Sequence, residues 1–329
     1  MYQVVKYEKK YNHEIYEQFV EFVREENFFF EESEKDFEAK LFNNRLFQEE
    51  GSFVALDGDK VVGFISGLVK ESDLGNPKAS GYIHTLFVNK EYRRQGIGSE
   101  LLKNVEEYFR GKGVQNARWV FLSNINWVWN IPHYPGHIHP GAPCVRINSE
   151  HYLFLLHKGY AINSIHEGFH LPLAEYELPE EVVRRMEKNA QDGYTVEVYD
   201  PEKHYGVEDF CKKIEGSNAG FASAIRSNLA KEKPNPFLVA AHNGKVVGWT
   251  GAMYNESTGR GHFDGIIVDP DERSRGLGKI LFCSLCYWSK NNGSQYMTLF
   301  TGLDNLARYI YFYAGFKIAQ SFADMKKAL

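Results

Sequence analysis

The chain repeats one short signature, once in each half of its 329 residues. The signature is an aliphatic strand, a polar turn and then Arg-x-x-Gly-x-Gly. The first copy runs from Leu86 to Gly98 and the second from Ile266 to Gly278. Arg273 follows Arg93 by 180 residues, a distance typical of whole domains. The repeat therefore indicates two related domains in tandem.

The segments around the signature also match in order. Asp57-Gly58 and Asn243-Gly244 each lie between β-branched runs, which is the strongest short-range signal for a β-hairpin. In each half a third strand, the glycine loop with its helix, a fourth strand and a closing helix are predicted to follow. These are Tyr82–Val88 and His262–Val268, Ser99–Arg110 and Lys279–Lys290, Arg118–Leu122 and Tyr296–Phe300, and closing helices that end at Gly159 and Gly315.

This order predicts an α/β (α+β) fold of two tandem domains, each a mixed, mostly antiparallel sheet flanked by helices. We place the N-terminal domain at residues 1–177, a linker helix at 178–193 and the C-terminal domain at 194–329. The first half has an insertion at 124–145, since Arg118 to Gly159 is 41 residues whereas Gln295 to Gly315 is 20. A loop of this length, rich in Pro, Gly and aromatic residues, predicts a lid or a domain-docking loop.

Charge and hydropathy limit the classes of partner that the protein is expected to bind. The net charge of −5 and pI of about 6.2 argue against a nucleic-acid surface. No apolar stretch is long enough to cross a membrane and the first residues do not form a signal peptide, so we expect neither a nucleic-acid nor a membrane partner. A monomer and a homodimer are both compatible with the sequence.

The four cysteines do not form a disulfide framework. Cys283 and Cys286 lie in an apolar helical run, which favours buried packing over redox or metal chemistry. These features predict a cytoplasmic protein. His133, His137 and His139 have no companion ligand at metal-binding spacing, so we expect no metal.

Arg-x-x-Gly-x-Gly between a strand and a helix has the chemistry of an anion site. The glycines let successive N–H groups point to one place, the helix N-terminus adds positive charge, and the arginines complete the site. A diphosphate is the natural ligand. The spacing differs from a dinucleotide fingerprint and from a Walker loop.

With these motifs the chain resembles the GNAT superfamily of N-acetyltransferases, in a tandem arrangement similar to mycothiol synthase-like proteins. The resemblance implies that the loops bind the pyrophosphate of acetyl-CoA and that the central strands bind its pantetheine arm. Carried over by position, the contacts in the second half are Ile267, Val268, Arg273, Ser274, Arg275, Gly276, Leu277, Gly278, Lys279 and Asn305. In the first half they are Leu86, Val88, Arg93, Arg94, Gln95, Gly96, Ile97, Gly98 and Ser99.

The resemblance also suggests which half is catalytic. The family holds a proton-donating Tyr four residues before the closing glycine; this is Tyr311 in the second half and Leu155 in the first. Asp304 rather than Asn305 has the spacing of the family's Asn. On the predicted strand His262 and Asp264 would share one sheet face, where some members use a water-mediated base. Tyr82 and His84 are their counterparts.

We therefore expect an N-acetyltransferase that moves an acetyl group from acetyl-CoA directly to a primary amine of a small molecule or peptide, with the C-terminal half catalytic. The acceptor would lie near residues 27–32 or 217–222. A non-catalytic acyl-CoA-binding sensor, catalysis in both halves and a different nucleotide-using enzyme remain alternatives.

Overall fold

The computed structural model describes residues 2–121 and 125–329. It divides into two compact units, Met1–Gly168 with Gln320–Leu329, and Phe169–Ala319. Each unit is a mixed α/β structure with a largely antiparallel sheet. Within the described ranges, no helix is both long and apolar enough to span a membrane.

The N-terminal unit begins with a strand and two helices and continues through hairpins to its closing helix. Its elements are β1 (Tyr2–Lys6), α1 (Asn12–Glu26), α2 (Glu34–Lys40), β2 (Ser52–Asp57), β3 (Lys60–Leu68), β4 (Gly81–Val88), α3 (Ile97–Gly111), β5 (Asn116–Trp119), β6 (Trp129–Asn130), β7 (Ile138–His139), β8 (Val145–Arg146), α4 (Glu150–His157) and the first part of β9 (Ala161–Pro172).

The C-terminal unit repeats this order. Its elements are the end of β9, then α5 (Glu180–Gln191), β10 (Tyr194–Val198), α6 (Val207–Leu229), β11 (Leu238–His242), β12 (Lys245–Gly251), β13 (Arg260–Gly261), β14 (Gly265–Val268), α7 (Leu277–Asn291), β15 (Tyr296–Gly302), α8 (Arg308–Tyr313) and the start of β16 (Lys317–Ala328).

The sheets of both units fork at the same place. In the N-terminal unit β1 to β4 pair antiparallel, and β4 then pairs parallel with β5 only at Gly81–Ile83. In the C-terminal unit β10, β11, β12 and β14 pair antiparallel, while the short β13 pairs parallel with β15. Beyond these short parallel stretches, β4 and β5, and likewise β13 and β15, show no further pairing with each other among the described residues. We call each opening the fork.

The ends of the chain differ from the expected division at residues 177 and 194. Residues 320–329 pack in the N-terminal unit, where β16 pairs with β5 from Met325↔Trp119 to Ala328↔Asn116. Conversely, the end of β9 belongs to the C-terminal unit, in which it lies beside β15. The strand that follows each closing helix, β9 or β16, is thus divided between the two units.

The expected linker helix, residues 178–193, is α5 and belongs to the core of the C-terminal unit. Val182 is 2% exposed and lies in the same apolar cluster as Leu281 and Phe282 of α7. Cys283 and Cys286 are free and fully buried in that cluster, as the apolar helical pattern predicts.

The described part of the insertion, residues 125–145, packs largely into the N-terminal unit, whereas residues 133–136 are exposed at its surface. Its described part contributes Trp127, Trp129 and Ile131, each at most 4% exposed. Trp127 stacks on Phe19 of α1 at 4.9 Å between ring centres. Trp127 and Trp129 are thus core residues, because large rings bury most of their area wherever they find partners.

The predicted strand His262–Val268 is wrong in its first half. Residues 262–264 are irregular, and β14 starts at Gly265. Asp264 explains this, since its Oδ2 accepts the backbone N–H of Ala252 at 2.8 Å and thus offers the chain an alternative to the sheet ladder. The predicted strand Arg118–Leu122 is Asn116–Trp119, with Leu122 outside the described residues.

Candidate functional site

The two glycine loops, Arg93–Ser99 and Arg273–Lys279, share one backbone conformation. Arg94 and Gly96 have φ of 63° and 94°, and their counterparts Ser274 and Gly276 have φ of 70° and 75°. Alternating left-handed residues turn successive N–H groups toward one side of the chain. Each glycine directly precedes α3 or α7, whose first N–H groups lack intrahelical partners. Both loops therefore have the backbone shape of a concavity at a helix N-terminus, a shape that suits an anion.

The C-terminal loop lies in a pocket that α5 helps to build. Arg185 and Lys279 line this pocket together with Ser274 and Gly276. A Cβ added to Gly276 would lie 3.5 Å from Cγ of Arg185, and Lys279 Nζ lies 4.1 Å from the ring centre of Tyr313. The pocket combines helix N–H groups with two cationic side chains, a combination that suits a diphosphate.

Arg185 is a residue that the sequence analysis missed. It precedes the loop by about 90 residues and lies in the segment assigned to a linker, so only the packing of α5 brings it to Gly276. Glu181 of the same helix also lines the pocket and accepts a hydrogen bond from Tyr313 Oη at 3.1 Å. The pattern Glu-x-x-x-Arg on one helix face was the available signal.

In the N-terminal loop, Arg93 already forms hydrogen bonds within the chain. Arg93 donates through Nε to the carbonyl of Val88 at 3.0 Å, and its Nη atoms lie 2.7 and 3.0 Å from Glu25 and 3.1 Å from Glu150. Its positive charge is therefore shared with two carboxylates. A diphosphate at this loop would have to compete with them for the guanidinium.

The central strand of the N-terminal unit is also occupied by its own side chains. Leu86, at which the resemblance implies a cofactor contact, accepts a hydrogen bond at its carbonyl from His151 Nε2 at 2.6 Å. At the loop, a Cβ added to Gly96 would lie 3.1 Å from the hydroxyl of Tyr2. The two concavities therefore share a backbone but differ in what surrounds them.

The remaining loop residues have structural positions. Ile97 and Leu277 are the buried first residues of α3 and α7. Gln95 donates to the carbonyl of Glu91 at 3.1 Å. Ser99 is half-buried near the start of α3, Ile267 and Val268 lie on β14, and Arg273 is exposed.

Two further predicted contacts have partners within the chain. The guanidinium of Arg275 lies 4.5 Å from the ring centre of Tyr194 and 3.7 Å from Glu272. The side-chain oxygen of Asn305 accepts the backbone N–H of Ala307 at 3.0 Å. Asn305 thereby forms an Asx turn shortly before α8.

The closing helices place Tyr311 and Leu155 at equivalent positions. A Cβ on Gly278 would lie 3.3 Å from Ile310, and a Cβ on Gly98 would lie 3.7 Å from Phe154. The residue after Ile310 or Phe154 then lies four positions before Gly315 or Gly159, which have φ of 91° and 83°. Both Tyr311 and Leu155 are buried, so the closing helices differ in chemistry but not in packing.

Tyr311 lies among aromatic side chains. Its ring centre is 4.9 Å from Phe282, 5.6 Å from Phe169 and 6.3 Å from Phe263. Burial raises the pKa of Tyr311 to about 12. The phenol is therefore protonated at neutral pH and can act as a proton donor.

His262 and Asp264 form a pair although they precede β14. His262 Nε2 lies 2.8 Å from Asp264 Oδ1, and its Nδ1 lies 3.0 Å from Glu256 Oε1. The ring of Tyr254 stacks on His262 at 4.1 Å. Phe263, between the pair, packs against Tyr311, so the irregular segment lies beside the closing helix.

The charges of this cluster support one another. Burial alone would lower the pKa of His262, but its hydrogen bonds to Asp264 and Glu256 raise the pKa above the ordinary value overall. Burial would likewise raise the pKa of both carboxyls, but hydrogen bonds from His262 leave the pKa of each below its ordinary range. The sequence did not indicate Glu256 as a site residue, because only a turn of the folded chain brings it into contact with His262.

The two segments expected near an acceptor lie in different surroundings. Phe28, in the segment 27–32, stacks on Trp129 at 5.4 Å and belongs to the N-terminal core. In the segment 217–222, Asn218 has non-helical φ and ψ and interrupts α6, and Phe221 packs on Gly265 at the start of β14. The second segment therefore adjoins Asp264.

Among the described residues, no group of three or more His, Cys, Asp or Glu side chains is arranged to hold a metal ion, and the histidines of the insertion lie in different surroundings. His139 is 4% exposed and its Nδ1 accepts the backbone N–H of Gly141 at 3.1 Å. His137 stacks on Tyr134 at 5.6 Å, and His133 is exposed.

Comparison with known families matches both halves of the chain. The profile of the acetyltransferase (GNAT) family matches residues 15–126 and 186–316. A search by sequence among curated proteins finds no significant match.

Solved structures share the fold at low sequence identity. A GCN5-related glucosamine N-acetyltransferase region of a fungal multi-domain beta-N-acetylglucosaminidase superposes with a TM-score of 0.67 at 16% identity, over 99% of this chain but only 38% of that protein. A GCN5-related N-acetyltransferase from Sphaerobacter thermophilus gives 0.60 at 14% identity, over 99% and 95% of the two chains. A tandem GNAT protein from the clavulanic acid biosynthesis pathway gives 0.57 at 14% identity, over 100% and 98%.

Proposed function

Because this chain belongs to the GNAT family of acetyltransferases, we propose that its C-terminal unit transfers the acetyl group of acetyl-CoA to a primary amine. The observation that carries this assignment is Tyr311, a buried, protonated phenol at a position where the N-terminal unit has Leu155. A leucine side chain has no proton to donate.

The C-terminal loop is the proposed site of the CoA diphosphate. Its left-handed Ser274 and Gly276 direct backbone N–H groups into a pocket that Arg185 and Lys279 also line. Charge-assisted hydrogen bonds from these groups would hold the diphosphate, and Ile267 and Val268 of β14 would then face the pantetheine arm. The N-terminal loop is a weaker candidate, because Glu25 and Glu150 already neutralise Arg93.

Direct transfer requires one bond to form and one to break. The neutral amine attacks the thioester carbonyl carbon, a C–N bond forms, and the C–S bond breaks as the intermediate collapses. Tyr311 donates its phenolic proton to the departing thiolate and regains one from solvent. His262 and Asp264 accept the proton that the amine loses, through water, and pass it to solvent.

The proposed acceptor is a primary amine of a small molecule or peptide. Asp264 is partly exposed, and Glu256 and Tyr254 lie beside it around His262. Carboxylates and an aromatic face attract an ammonium group before it loses its proton. The kink of α6 at Asn218 and the ring of Phe221 would form the opposite wall. The buried free cysteines agree with a reducing, cytoplasmic setting.

Release of free thiol from acetyl-CoA, measured over a panel of primary amines, tests this function. The panel should contain glucosamine, polyamines, amino acids and short peptides, because one structural neighbour is a glucosamine N-acetyltransferase region. We expect amine-dependent thiol release with at least one member. If acetyl-CoA binds but no amine gives release above the rate without amine, the protein is an acyl-CoA-binding sensor instead.

A further inference from the structure

A tight hairpin of the C-terminal unit contains the proposed base together with a carboxylate that the proposed mechanism does not use. The backbone N–H of His262 donates to the carbonyl of Tyr254 at 2.9 Å, and that of Glu256 donates to the carbonyl of Arg260 at 2.8 Å. Gly259 allows the turn with its φ of 80°. The hairpin therefore holds the side chains of Glu256, Arg260 and His262 close together.

Glu256 connects His262 to the interior of the unit. Its Oε1 lies 3.0 Å from Nδ1 of His262 and also pairs with the guanidinium of Arg260. Arg260 is 5% exposed, and its Nε donates to Oγ1 of the fully buried Thr298 on β15 at 2.9 Å. Because a buried guanidinium needs a carboxylate partner, Arg260 and Glu256 hold each other in place.

The two ring nitrogens of His262 face different surroundings. Nδ1 faces Glu256 and, behind it, the interior. Nε2 lies 2.8 Å from Oδ1 of Asp264, whose side chain is 37% exposed. Asp264 precedes Gly265, on which Phe221 of the proposed acceptor wall packs. Nε2 is therefore the nitrogen on the side of the solvent and of the proposed acceptor.

A base must offer its lone pair at the nitrogen that the substrate reaches. A neutral imidazole has one proton, and the hydrogen bond of one nitrogen decides which tautomer forms. For Nε2 of His262 to accept a proton, the remaining proton must be on Nδ1. If Asp264 were the only carboxylate partner, the proton would stay on Nε2 and the lone pair would point to the interior. Glu256 is the second acceptor, and Arg260 fixes it.

We propose that Glu256 is the positioning residue of the base. It accepts the Nδ1 proton of His262 and thereby leaves Nε2 free to take, through water, the proton that the amine loses. The amine N–H bond breaks as the Nε2–H bond forms. The imidazolium then lies between Glu256 and Asp264 until Nε2 returns the proton to solvent.

The groups that face this pair from the hairpin and its neighbours agree with that role. Among the described residues, the titratable and charged ones are Glu256, Asp264, Arg260, Tyr254, and Lys231, which follows α6 and acts on Asp264. Although burial lowers the pKa of His262, its hydrogen bonds to Asp264 and Glu256 raise the pKa overall. The ring of Tyr254 stacks on the imidazole at 4.1 Å and restricts its rotation.

The tautomer of the His262 ring gives the direct test. The inference rests on the proposed function in taking His262 as the base, but the tautomer is measured without turnover. The chain has twelve histidines, and ¹⁵N labelling of histidine with long-range ¹H–¹⁵N correlation spectra distinguishes the two nitrogens of each ring. His262→Gln assigns the signals. We expect the wild-type ring, titrated upward in pH until it is neutral, to keep its proton on Nδ1.

The double variant Glu256→Leu/Arg260→Leu removes the acceptor and the guanidinium together, so that no buried charge is left without a partner. The neutral ring should then carry its proton on Nε2, where Asp264 is the remaining acceptor. We expect kcat to fall by about 10²-fold, the usual contribution of a positioned base. KM for acetyl-CoA should change little, because other residues line the proposed diphosphate pocket.

Two further variants separate positioning from a structural role. Glu256→Gln keeps an oxygen that accepts the Nδ1 proton, so it should retain the tautomer and most of the maximal kcat. Loss of the carboxylate charge should move the rise of kcat toward lower pH. Glu180→Leu/Arg184→Leu removes an exposed Glu–Arg pair of the same i, i+4 spacing on α5. It should change neither the tautomer nor kcat.

Three results would overturn the proposal. The first is a neutral wild-type ring with its proton on Nε2. The second is a folded double variant that keeps the Nδ1 tautomer or the kcat of wild type, with folding verified by a melting curve. The third, which needs no double variant, is a pH profile of Glu256→Gln that coincides with that of wild type. If the wild type releases no thiol with any amine, the proposed function fails, and the tautomer still decides whether Glu256 orients the ring.

Discussion

Tyr311 and Leu155 occupy the same position in two copies of one closing helix. Each follows a residue that packs on the second glycine of its loop, Ile310 on Gly278 or Phe154 on Gly98, and each precedes a left-handed glycine by four residues. The fold tolerates either side chain there. The difference between them is therefore chemical, and the hydroxyl group is what the C-terminal unit retains.

We predict that Tyr311→Phe lowers kcat by about 10²-fold or more, because removing a general acid typically costs 10²–10⁴-fold. The ring stays in the cluster with Phe169, Phe263 and Phe282, so stability and the Kd for acetyl-CoA should change little. Thiol-release kinetics and isothermal titration provide the two readouts. Tyr309→Phe on the same helix is the control, since Tyr309 is 63% exposed. Equal kcat in Tyr311→Phe and wild type would remove Tyr311 from the mechanism.

Arg185→Gln should weaken acetyl-CoA binding by about tenfold, the loss expected when one charge-assisted contact to a diphosphate is removed, at 1.4 kcal/mol per tenfold. The readout is KM for acetyl-CoA at a saturating amine concentration. Arg184→Gln is the matched control, because Arg184 is the preceding residue of α5 and its side chain is 70% exposed. If both variants raise KM equally, the increase comes from the general loss of positive charge and not from a specific contact between Arg185 and the diphosphate.

Turnover should rise with pH through the pKa of His262, since the pair accepts a proton from the amine only after His262 has lost its own. Although burial lowers this pKa, the hydrogen bonds to Asp264 and Glu256 raise it above the ordinary value overall, so the midpoint should lie on the alkaline side of about 6.5. Removing one carboxylate in Asp264→Asn should move the rise toward lower pH, by about one unit.

This shift is measured by a profile of kcat between about pH 6 and pH 10. That range includes the ordinary His pKa of about 6.5. Asp271→Asn removes a carboxylate that pairs with Lys213 elsewhere in the unit and should leave the profile unchanged. A profile of Asp264→Asn that coincides with that of wild type would mean that His262 does not supply the titrating group.

The sequence correctly predicted the structural features that local residue patterns determine. Asp57-Gly58 and Asn243-Gly244 lie between hairpin strands, and both glycine loops precede amphipathic helices, as alternation and turn chemistry require. Membership of the GNAT family, which these motifs indicated, is confirmed by a family profile that matches residues 15–126 and 186–316. These features arise within about 20 residues of chain, so a single sequence contains enough information to find them.

The rest depends on contacts between distant residues. Arg185 reaches Gly276 only because Val182 buries α5 against α7. The last ten residues complete the N-terminal sheet through pairs such as Met325↔Trp119, which no local pattern indicates. His262 and Asp264 form their pair outside a strand because a side chain replaced the sheet ladder. The roles of the site residues stay predictions until they are tested by substitution.

The central claim, that the C-terminal unit catalyses, is tested most directly by blocking one loop at a time. Gly276→Glu and Gly96→Glu each place a carboxylate in one loop, where it would repel the diphosphate, and melting curves verify that both variants fold. We predict that Gly276→Glu abolishes amine-dependent thiol release while Gly96→Glu retains most of it. Loss of activity in Gly96→Glu alone would contradict the account and move catalysis to the N-terminal unit.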